Sequence, residues 1–302
     1  MAKFAPESRK MEKPLKNIIK EYPRRGPMQQ FRLNSAAAFD CFRCGQSKKS
    51  KLHTIYQNDW NHTLCNGCYG YLLSVHDIKA GTASDDEKTE ALAKILLKLS
   101  EKKQTQEIVE RIKIAEMRAK HLSPSSLKFI ATSEYIHKNM PDEIHLDWSP
   151  AIIGLCKAVE TELILRLIDP LKEIVANRDI SEDIKDKDFG RVARYCAVGN
   201  MKPPEIGAIR HFLQTAVHSK SRRGTSILVQ ALISVLSEWP KSNWIEDPVG
   251  AVEDLNKLTS QYRNRAAHID ELKREDYQAC YTFTCGNDGI MWKLISATTP
   301  RS

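Results

Sequence analysis

Cys41-Phe42-Arg43-Cys44 and, twenty residues later, Cys65-Asn66-Gly67-Cys68 are the stretches of this 302-residue sequence that carry the most information about its fold. Two residues between the cysteines of a pair allow both thiolates to reach one ion from a tight turn. Gly45 supplies the permissive backbone that such a turn needs. A helix can begin at the second pair, because Tyr69 and Leu72 continue at helical spacing. The pattern predicts a small module with one pair on a hairpin turn and the other on the first turn of a helix.

The expected ligand set of this module is Cys41, Cys44, Cys65 and Cys68, and the expected cofactor is Zn²⁺. Four protein ligands leave no open coordination position, so we predict a structural site and not a catalytic one. A rubredoxin-type iron site and a redox dithiol pair are the alternatives, and zinc is favoured because two matched pairs occur together with lysines and a glycine-containing turn. Zinc bound in this way can contribute on the order of 10 kcal/mol toward folding a small module.

The net charge of +8 is concentrated at the N-terminus. Residues 1–82 hold 14 lysines and arginines against 6 aspartates and glutamates, whereas the remaining 220 residues hold 32 of each. A basic segment beside a neutral one indicates contact with a polyanion, most simply nucleic acid, because neutralising phosphates releases counterions. The alternative is that the charge only keeps a surface tail soluble.

Apolar stretches in the sequence are too short to cross a bilayer, and residues 1–20 lack the apolar segment of a secretory signal. The composition, with 41% apolar and 28% charged residues, is that of an ordinary globular protein. We therefore expect a cytoplasmic protein with no membrane partner.

The chain is predicted to be mainly α-helical, with four parts. Residues 1–36 combine four prolines with basic residues and predict an extended arm, and residues 37–80 form the four-cysteine module. Residues 81–143 read as a helical connector that starts at Ser84-Asp85-Asp86-Glu87, a helix-capping pattern. Residues 144–302 carry apolar stripes at helical spacing and no useful strand pattern, which predicts an all-helical bundle.

A family resemblance begins at the second cysteine pair. The segment Leu64-Cys65-Asn66-Gly67-Cys68-Tyr69-Gly70 resembles the second half of a GATA-type treble-clef zinc finger, although the span between the two cysteine pairs is longer here. GATA-type fingers typically read DNA and other treble clefs bind RNA or protein, so the resemblance implies a nucleic-acid role. The candidate contacts are Arg43, Lys48, Lys49 and Lys51 for phosphate, with Tyr56 and Trp60 for stacking on bases.

A second resemblance rests on Tyr262-Arg263-Asn264-Arg265-Ala266-Ala267-His268, late in the helical half. An Arg-Asn-x3-His motif in an all-helical domain resembles the HEPN superfamily, over roughly residues 144–296. The resemblance implies a metal-independent endoribonuclease that leaves 2′,3′-cyclic phosphates, or a relative that has kept only binding. In that family's scheme His268 would transfer a proton and Arg263 would hold the scissile phosphate. Asn264 would orient the phosphate or His268.

Helix geometry sets a condition on this motif. Five residues of an ideal helix turn through about 500°, which leaves Arg263 and His268 roughly 140° apart. Either the helix is interrupted near Arg263 or two protomers meet with their motifs facing, which is how HEPN nucleases usually work, so we expect a homodimer. Glu160 and Glu162, on the first helix of the bundle, are candidate acidic partners of Arg263 or His268.

Taken together, these patterns predict a zinc-finger-targeted ribonuclease, acting as a toxin or antiviral defence effector, with RNA favoured over DNA as its partner. The alternative is a non-enzymatic zinc-finger regulator that binds DNA, or an adaptor, whose helical domain only dimerises.

Overall fold

A computed structural model describes residues 17–98, 102–139, 147–198, 201–268 and 271–299. Over these residues the chain is mostly helical, with one small antiparallel sheet near the N-terminus, which confirms the mainly α prediction. The chain divides into two compact units, and the boundary lies between Gly81 and Thr82. None of the helices in the described ranges is both long enough and apolar enough to span a membrane.

The N-terminal unit is built on a four-stranded antiparallel sheet in which each strand pairs with the next along the chain. Its strands are β1 (Ile18–Glu21), β2 (Met28–Asp40), β3 (Ser47–Tyr56) and β4 (Asp59–Leu64). Helix α1 (Asn66–Ala80) follows directly after β4. This order places the ends of β2 and β4 beside the two cysteine pairs.

The sheet buries apolar side chains on both faces, because successive residues of a strand point to opposite sides. One cluster lies against α1 and consists of Met28, Cys41, Tyr56, Leu64, Cys68 and Leu72. The other consists of Phe31, Ile55 and Trp60. With so few residues available, nearly every large apolar side chain of the strands is used as core.

Residues 17–36 do not form the extended arm that the prolines indicated, because they contain β1 and the first part of β2. Pro23 and Pro27 lie in the loop between these strands, where the N–H that proline lacks is not required by the ladder. Residues 1–16 of the predicted arm lie outside the described residues.

The helical unit contains fifteen α-helices within the described ranges, together with a 3₁₀ turn at Met117–His121 and two π-helical turns at Ile164–Ile168 and Leu258–Arg263. The helices are α2 (Asp85–Lys98), α3 (Lys102–Ala115), α4 (Pro124–Asn139), α5 (Ser149–Leu163), α6 (Asp169–Val175), α7 (Ser181–Lys185), α8 (Gly190–Ala197), α9 (Ile206–His218), α10 (Lys220–Thr225), α11 (Ile227–Ser237), α12 (Asn243–Glu246), α13 (Ala251–Lys257), α14 (Asn264–Ala267), α15 (Arg274–Cys285) and α16 (Ile290–Thr298).

Helix α5 is the centre of this unit and is buried almost throughout, including the carboxylates of Glu160 and Glu162. A Cβ on its Gly154 would lie 2.4 Å from both the Leu96 side chain of α2 and Ser133 Oγ of α4, so only glycine allows the three helices to approach this closely. Ser133 Oγ also donates to the Ala151 carbonyl at 2.9 Å. The stretch expected to be a connector, residues 81–143, thus contributes α2 and α4 to the core of the helical unit.

Candidate metal centre and candidate active site

The four cysteines of the N-terminal unit lie where the spacing predicted. Cys41 directly follows β2 and Cys44 lies in the turn before β3, while Cys65 precedes α1 and Cys68 is in its first turn. Gly45 adopts the left-handed conformation (φ +68°) and its N–H donates to the Cys41 carbonyl at 2.7 Å, which closes the first turn.

The Sγ atoms of the four cysteines all lie within 4.8 Å of one another, and those of Cys44 and Cys65 are 3.9 Å apart. A tetrahedron of ~2.3 Å Zn–S bonds has S–S edges of about 3.8 Å. A disulfide has sulfurs about 2.05 Å apart, and these cysteines are free. The spacing therefore suits four thiolates around one metal ion.

Neighbouring donors stabilise charge on these sulfurs. The Cys65 N–H donates to Cys41 Sγ at 3.3 Å, and Arg43 Nη1 donates to Cys68 Sγ at 3.5 Å while its guanidinium lies 4.3 Å from the centre of the Tyr71 ring. Such donors around the ligands are the outer shell expected of a thiolate metal site. Arg43, predicted as a phosphate contact, therefore lies against the candidate metal site.

The remaining predicted nucleic-acid contacts divide into two groups. Lys48, Lys49 and Lys51 are exposed on β3, as contact with phosphate requires. Tyr56 and Trp60 are only 1% and 8% exposed, because both rings belong to the core clusters of the sheet. These two rings are therefore not available for stacking on bases.

The sheet carries two further exposed cations that the sequence reasoning missed. Lys20 of β1 and Arg32 of β2 are directly opposite each other in the strand pair, where opposed side chains are neighbours. Both residues lie in the segment that was predicted to be an extended arm, and their opposed positions follow only from the pairing of β1 with β2. These exposed cations, Lys20, Arg32, Lys48, Lys49 and Lys51, are together called the cationic sheet surface, which includes both faces of β3 because Lys48 points to the opposite side from Lys49 and Lys51.

In the helical unit, the Arg-Asn-x3-His motif coincides with a π-helical turn in a continuous helix. Arg263 is the last residue of the π-helical turn Leu258–Arg263, α14 begins at Asn264, and His268 follows the last residue of α14. The backbone stays helical from Leu258 through Ala267, so the helix is not interrupted at Arg263 and only its winding changes. π-Helical turns are frequent at functional sites.

The motif side chains converge on the first turn of α2. The Arg263 guanidinium is paired with the carboxylate of Asp86 and, through Nη1, donates to Asn264 Oδ1 at 3.1 Å. His268 Nε2 lies 3.8 Å from Asp85 Oδ2. Asp85 and Asp86 are consecutive, so Arg263 and His268 of one protomer both contact the first turn of α2.

The two motif side chains differ in access. The Arg263 side chain is 6% exposed and its buried Nε has no hydrogen-bond partner among the described residues, whereas the His268 side chain is 57% exposed. Asp86 also pairs with Arg191 at 3.2 Å. Burial raises the pKa of Asp86, but hydrogen bonds and charge from Arg263 and Arg191 outweigh it and leave that pKa below its ordinary value. A charged carboxylate therefore neutralises the buried arginine.

The predicted acidic partners of the motif, Glu160 and Glu162, bind elsewhere. Glu160 accepts from the Ile206 N–H at 3.0 Å and Glu162 accepts from the Ser123 N–H at 2.7 Å, so both are used to cap neighbouring segments. The acidic partners of Arg263 and His268 are instead Asp86 and Asp85 of α2. Their signal was present in the segment Ser84-Asp85-Asp86-Glu87, whose helix-capping role is confirmed by the bonds between Ser84 and Glu87.

The chain matches none of the protein-family models, curated proteins or solved structures with which it was compared. A proposal of its function therefore rests on the geometry of the two sites.

Proposed function

We propose that the helical unit is a HEPN-type metal-independent endoribonuclease and that the N-terminal unit is a zinc module that binds nucleic acid. The observation that supports the nuclease best is the convergence of Arg263 and His268 on the first turn of α2. An arginine and an exposed histidine beside one helical turn supply the two groups needed to hold a phosphate and move a proton.

In this proposal His268 acts as the acid–base group, because an imidazole can accept or donate a proton near neutral pH. It takes the proton of a ribose 2′-hydroxyl, or returns one to the departing 5′-oxygen. The 2′-oxygen bonds to phosphorus as the bond to the 5′-oxygen breaks, which leaves a 2′,3′-cyclic phosphate and a 5′-hydroxyl.

Arg263 stabilises the charge that develops on the phosphate. In the resting chain Asp86 holds one edge of its guanidinium and Asn264 holds another. An RNA phosphate must therefore displace Asp86 to bind Arg263 directly, and the proposal requires this exchange.

The N-terminal unit supplies nucleic-acid affinity in the same scheme. Its four cysteines are the ligands for Zn²⁺, which fixes the turn after β2 to the start of α1 and does no chemistry, because four thiolates fill the coordination sphere. The cationic sheet surface contacts the phosphate backbone without reading sequence. RNA is favoured over DNA because only RNA offers the 2′-hydroxyl that the proposed reaction uses.

The test is cleavage of end-labelled RNA by the purified full-length protein in buffer containing EDTA, with the new ends identified by mass spectrometry. We expect cyclic-phosphate products, and we expect His268→Ala to cut at least about 100-fold more slowly. His121→Ala is the matched control, since His121 is another exposed histidine of the helical unit. Equal cleavage by His268→Ala and the wild type would show that the motif is not the active site.

A second candidate function is a non-enzymatic regulator or adaptor in which the helical unit is a scaffold. The burial of Arg263 and its pairing with Asp86 favour it, because these contacts also suit a purely structural arginine. Absence of RNA cleavage together with tight binding of duplex DNA, in the same preparation, would favour this candidate.

A further inference from the structure

A polar cavity of the helical unit lies against α9, at the junction with α10. Its volume is about 500 Å³, and the described residues that line it are all polar. Four of them belong to α9: His211, Gln214, Thr215 and His218. No residue of the Arg-Asn-x3-His motif lines this cavity. A lining without apolar side chains favours a charged partner over an apolar one.

Helix geometry places the polar residues of α9 on one face. Arg210, Gln214 and His218 follow one another at intervals of four residues, and with His211 they fall within about 100° around the helix axis. His211, Gln214 and His218 are exposed. The helix rises by about 12 Å from Arg210 to His218, so an extended chain laid along this face meets several polar groups in succession.

The arginines of this region have mainly neutral partners. Arg210 donates to Asn256 Oδ1 at 2.9 Å, and Arg223 donates through Nε to the Ala216 carbonyl at 3.0 Å. Neither guanidinium is paired with a carboxylate of the described residues. Residues 206–237 contain no aspartate or glutamate. A guanidinium with neutral partners keeps its whole positive charge available to an anion.

The carboxylates near the cavity do not reverse this sign. Arg222 pairs with Asp186 at 2.5 Å, but its side chain is 46% exposed whereas that of Asp186 is 1% exposed. The aspartate is therefore covered, and the guanidinium remains accessible. Among the described lining residues, Asp188 supplies the single exposed carboxylate, against the accessible charges of Arg222 and of Arg223 next to it in the chain. The accessible surface is positive, which suits a polyanion.

From these features we propose that Arg210, His211, Gln214, His218 and Arg222, together called the α9 surface, bind the phosphate backbone of an RNA strand. The guanidinium groups pair with phosphate oxygens, and the amide of Gln214 and the imidazoles donate to them. The choice of RNA as the polyanion rests on the proposed function, to which the α9 surface adds a phosphate contact within the nuclease unit itself. An anionic bilayer is the less suitable polyanion, because a concave polar surface offers no apolar side chains to insert.

The experiment measures the affinity of the full-length protein for a fluorescent single-stranded 2′-O-methyl RNA by anisotropy. This oligonucleotide carries every phosphate but lacks the free 2′-hydroxyl, so binding is measured without cleavage. Gln214 is exposed at the centre of the α9 surface, and it is replaced by lysine in one variant and by glutamate in another. Gln278 is the matched control, because it is an exposed glutamine on α15 and does not line this cavity.

We expect Gln214→Lys to bind at least about twofold more tightly than the wild type and Gln214→Glu at least about threefold more weakly, because the new charge attracts or repels a neighbouring phosphate. The salt slope of Gln214→Lys should be steeper by about 0.7, the value for one more neutralised phosphate on a single strand. The same changes at Gln278 should alter the affinity by less than about 1.5-fold, because salt screens distant charges. A folding defect would weaken binding by both Gln214 variants, so opposite effects at one position separate charge from stability.

The proposal is overturned if both Gln214 variants bind as the wild type does, if their affinities change in the same direction, or if the Gln278 pair changes as much. Absence of RNA binding by the wild type also overturns it, and binding to phosphatidylserine vesicles that follows the charge at Gln214 would then identify a membrane contact. RNA binding that follows the charge at Gln214, without cleavage of unmodified RNA, would support the α9 surface and contradict the proposed nuclease.

Discussion

Replacing Asp86 by asparagine is expected to destabilise the helical unit much more than the same change at the adjacent Asp85. Asp86 is the carboxylate that neutralises Arg263, whose side chain is 6% exposed. Asp85 faces His268, which is 57% exposed, across 3.8 Å. The two substitutions thus remove the same charge from the same turn of α2 but leave different partners behind.

The magnitude follows from burial. Breaking a fully buried ion pair costs about 3–5 kcal/mol, because the remaining charge is left without compensation. The Asp86 side chain is 21% exposed, and asparagine and Asn264 still accept from the guanidinium, so we expect about 2 kcal/mol for Asp86→Asn. An exposed ion pair stabilises by less than about 1 kcal/mol, so Asp85→Asn should lower the free energy of unfolding by only about 0.3 kcal/mol. Loss of a negative charge at the N-terminus of α2 affects both variants alike and cancels in the comparison.

The assay is urea unfolding at pH 7, followed by circular dichroism at 222 nm, which reports chiefly on the helices. The midpoint should fall while the slope with denaturant stays constant. The pH dependence of the free energy of unfolding provides an independent check on the contribution of Asp86. The folded-state pKa of Asp86 is depressed, so its stabilisation is present above the unfolded value near ~3.9 and is lost as pH falls through the folded value.

The difference in free energy of unfolding between the wild type and Asp86→Asn should therefore become smaller below about pH 4. Our account of the Asp86–Arg263 pair is refuted if the two asparagine variants unfold within about 0.5 kcal/mol of each other at pH 7.

Four further predictions concern function. One zinc ion should be found per chain by mass spectrometry, and Cys44→Ser should weaken its retention against a chelator at least tenfold while Cys285→Ser, at a cysteine outside the cluster, does not. Replacing Lys48, Lys49 and Lys51 together by glutamine should weaken RNA binding and reduce the salt slope by about 2, against no change for the exposed set Lys94, Lys128 and Lys187. Asp86→Asn should lower the KM for RNA at temperatures where it remains folded, since the phosphate no longer competes with a carboxylate; an unchanged or higher KM contradicts the proposed exchange. The family resemblance still implies a homodimer, so light scattering should give a mass of twice 34.4 kDa, and a monomer that still cuts RNA rules out the homodimer as the active form.

Local sequence determined the elements whose signals lie within one or two turns of chain. The two Cys-x2-Cys pairs specified a hairpin turn and a helix start, and the Ser84-Asp85-Asp86-Glu87 pattern specified the beginning of α2. The apolar stripes specified a helical C-terminal half. Each of these depends on backbone geometry over a few residues, so spacing alone is sufficient.

Tertiary structure decided which side chains are used by the core. Tyr56 and Trp60 are aromatic and lie in a basic segment, which is the pattern of a nucleic-acid-binding surface, yet both are buried. A small sheet packed on both faces needs its aromatics inside, and burial depends on which strands pair. Strand pairing also moved residues 17–36 from a predicted arm into the sheet.

Only the tertiary structure revealed the acidic partners of the motif. Asp86 and Arg263 are 177 residues apart in the chain, and the sequence around either residue does not predict a contact with the other. The contact exists because α2 packs on α5 beside the π-helical turn, so that its first turn lies against Arg263 and His268. A charged side chain that becomes buried needs an opposite charge within a few ångströms, and only the packing of distant helices decides which carboxylate supplies it.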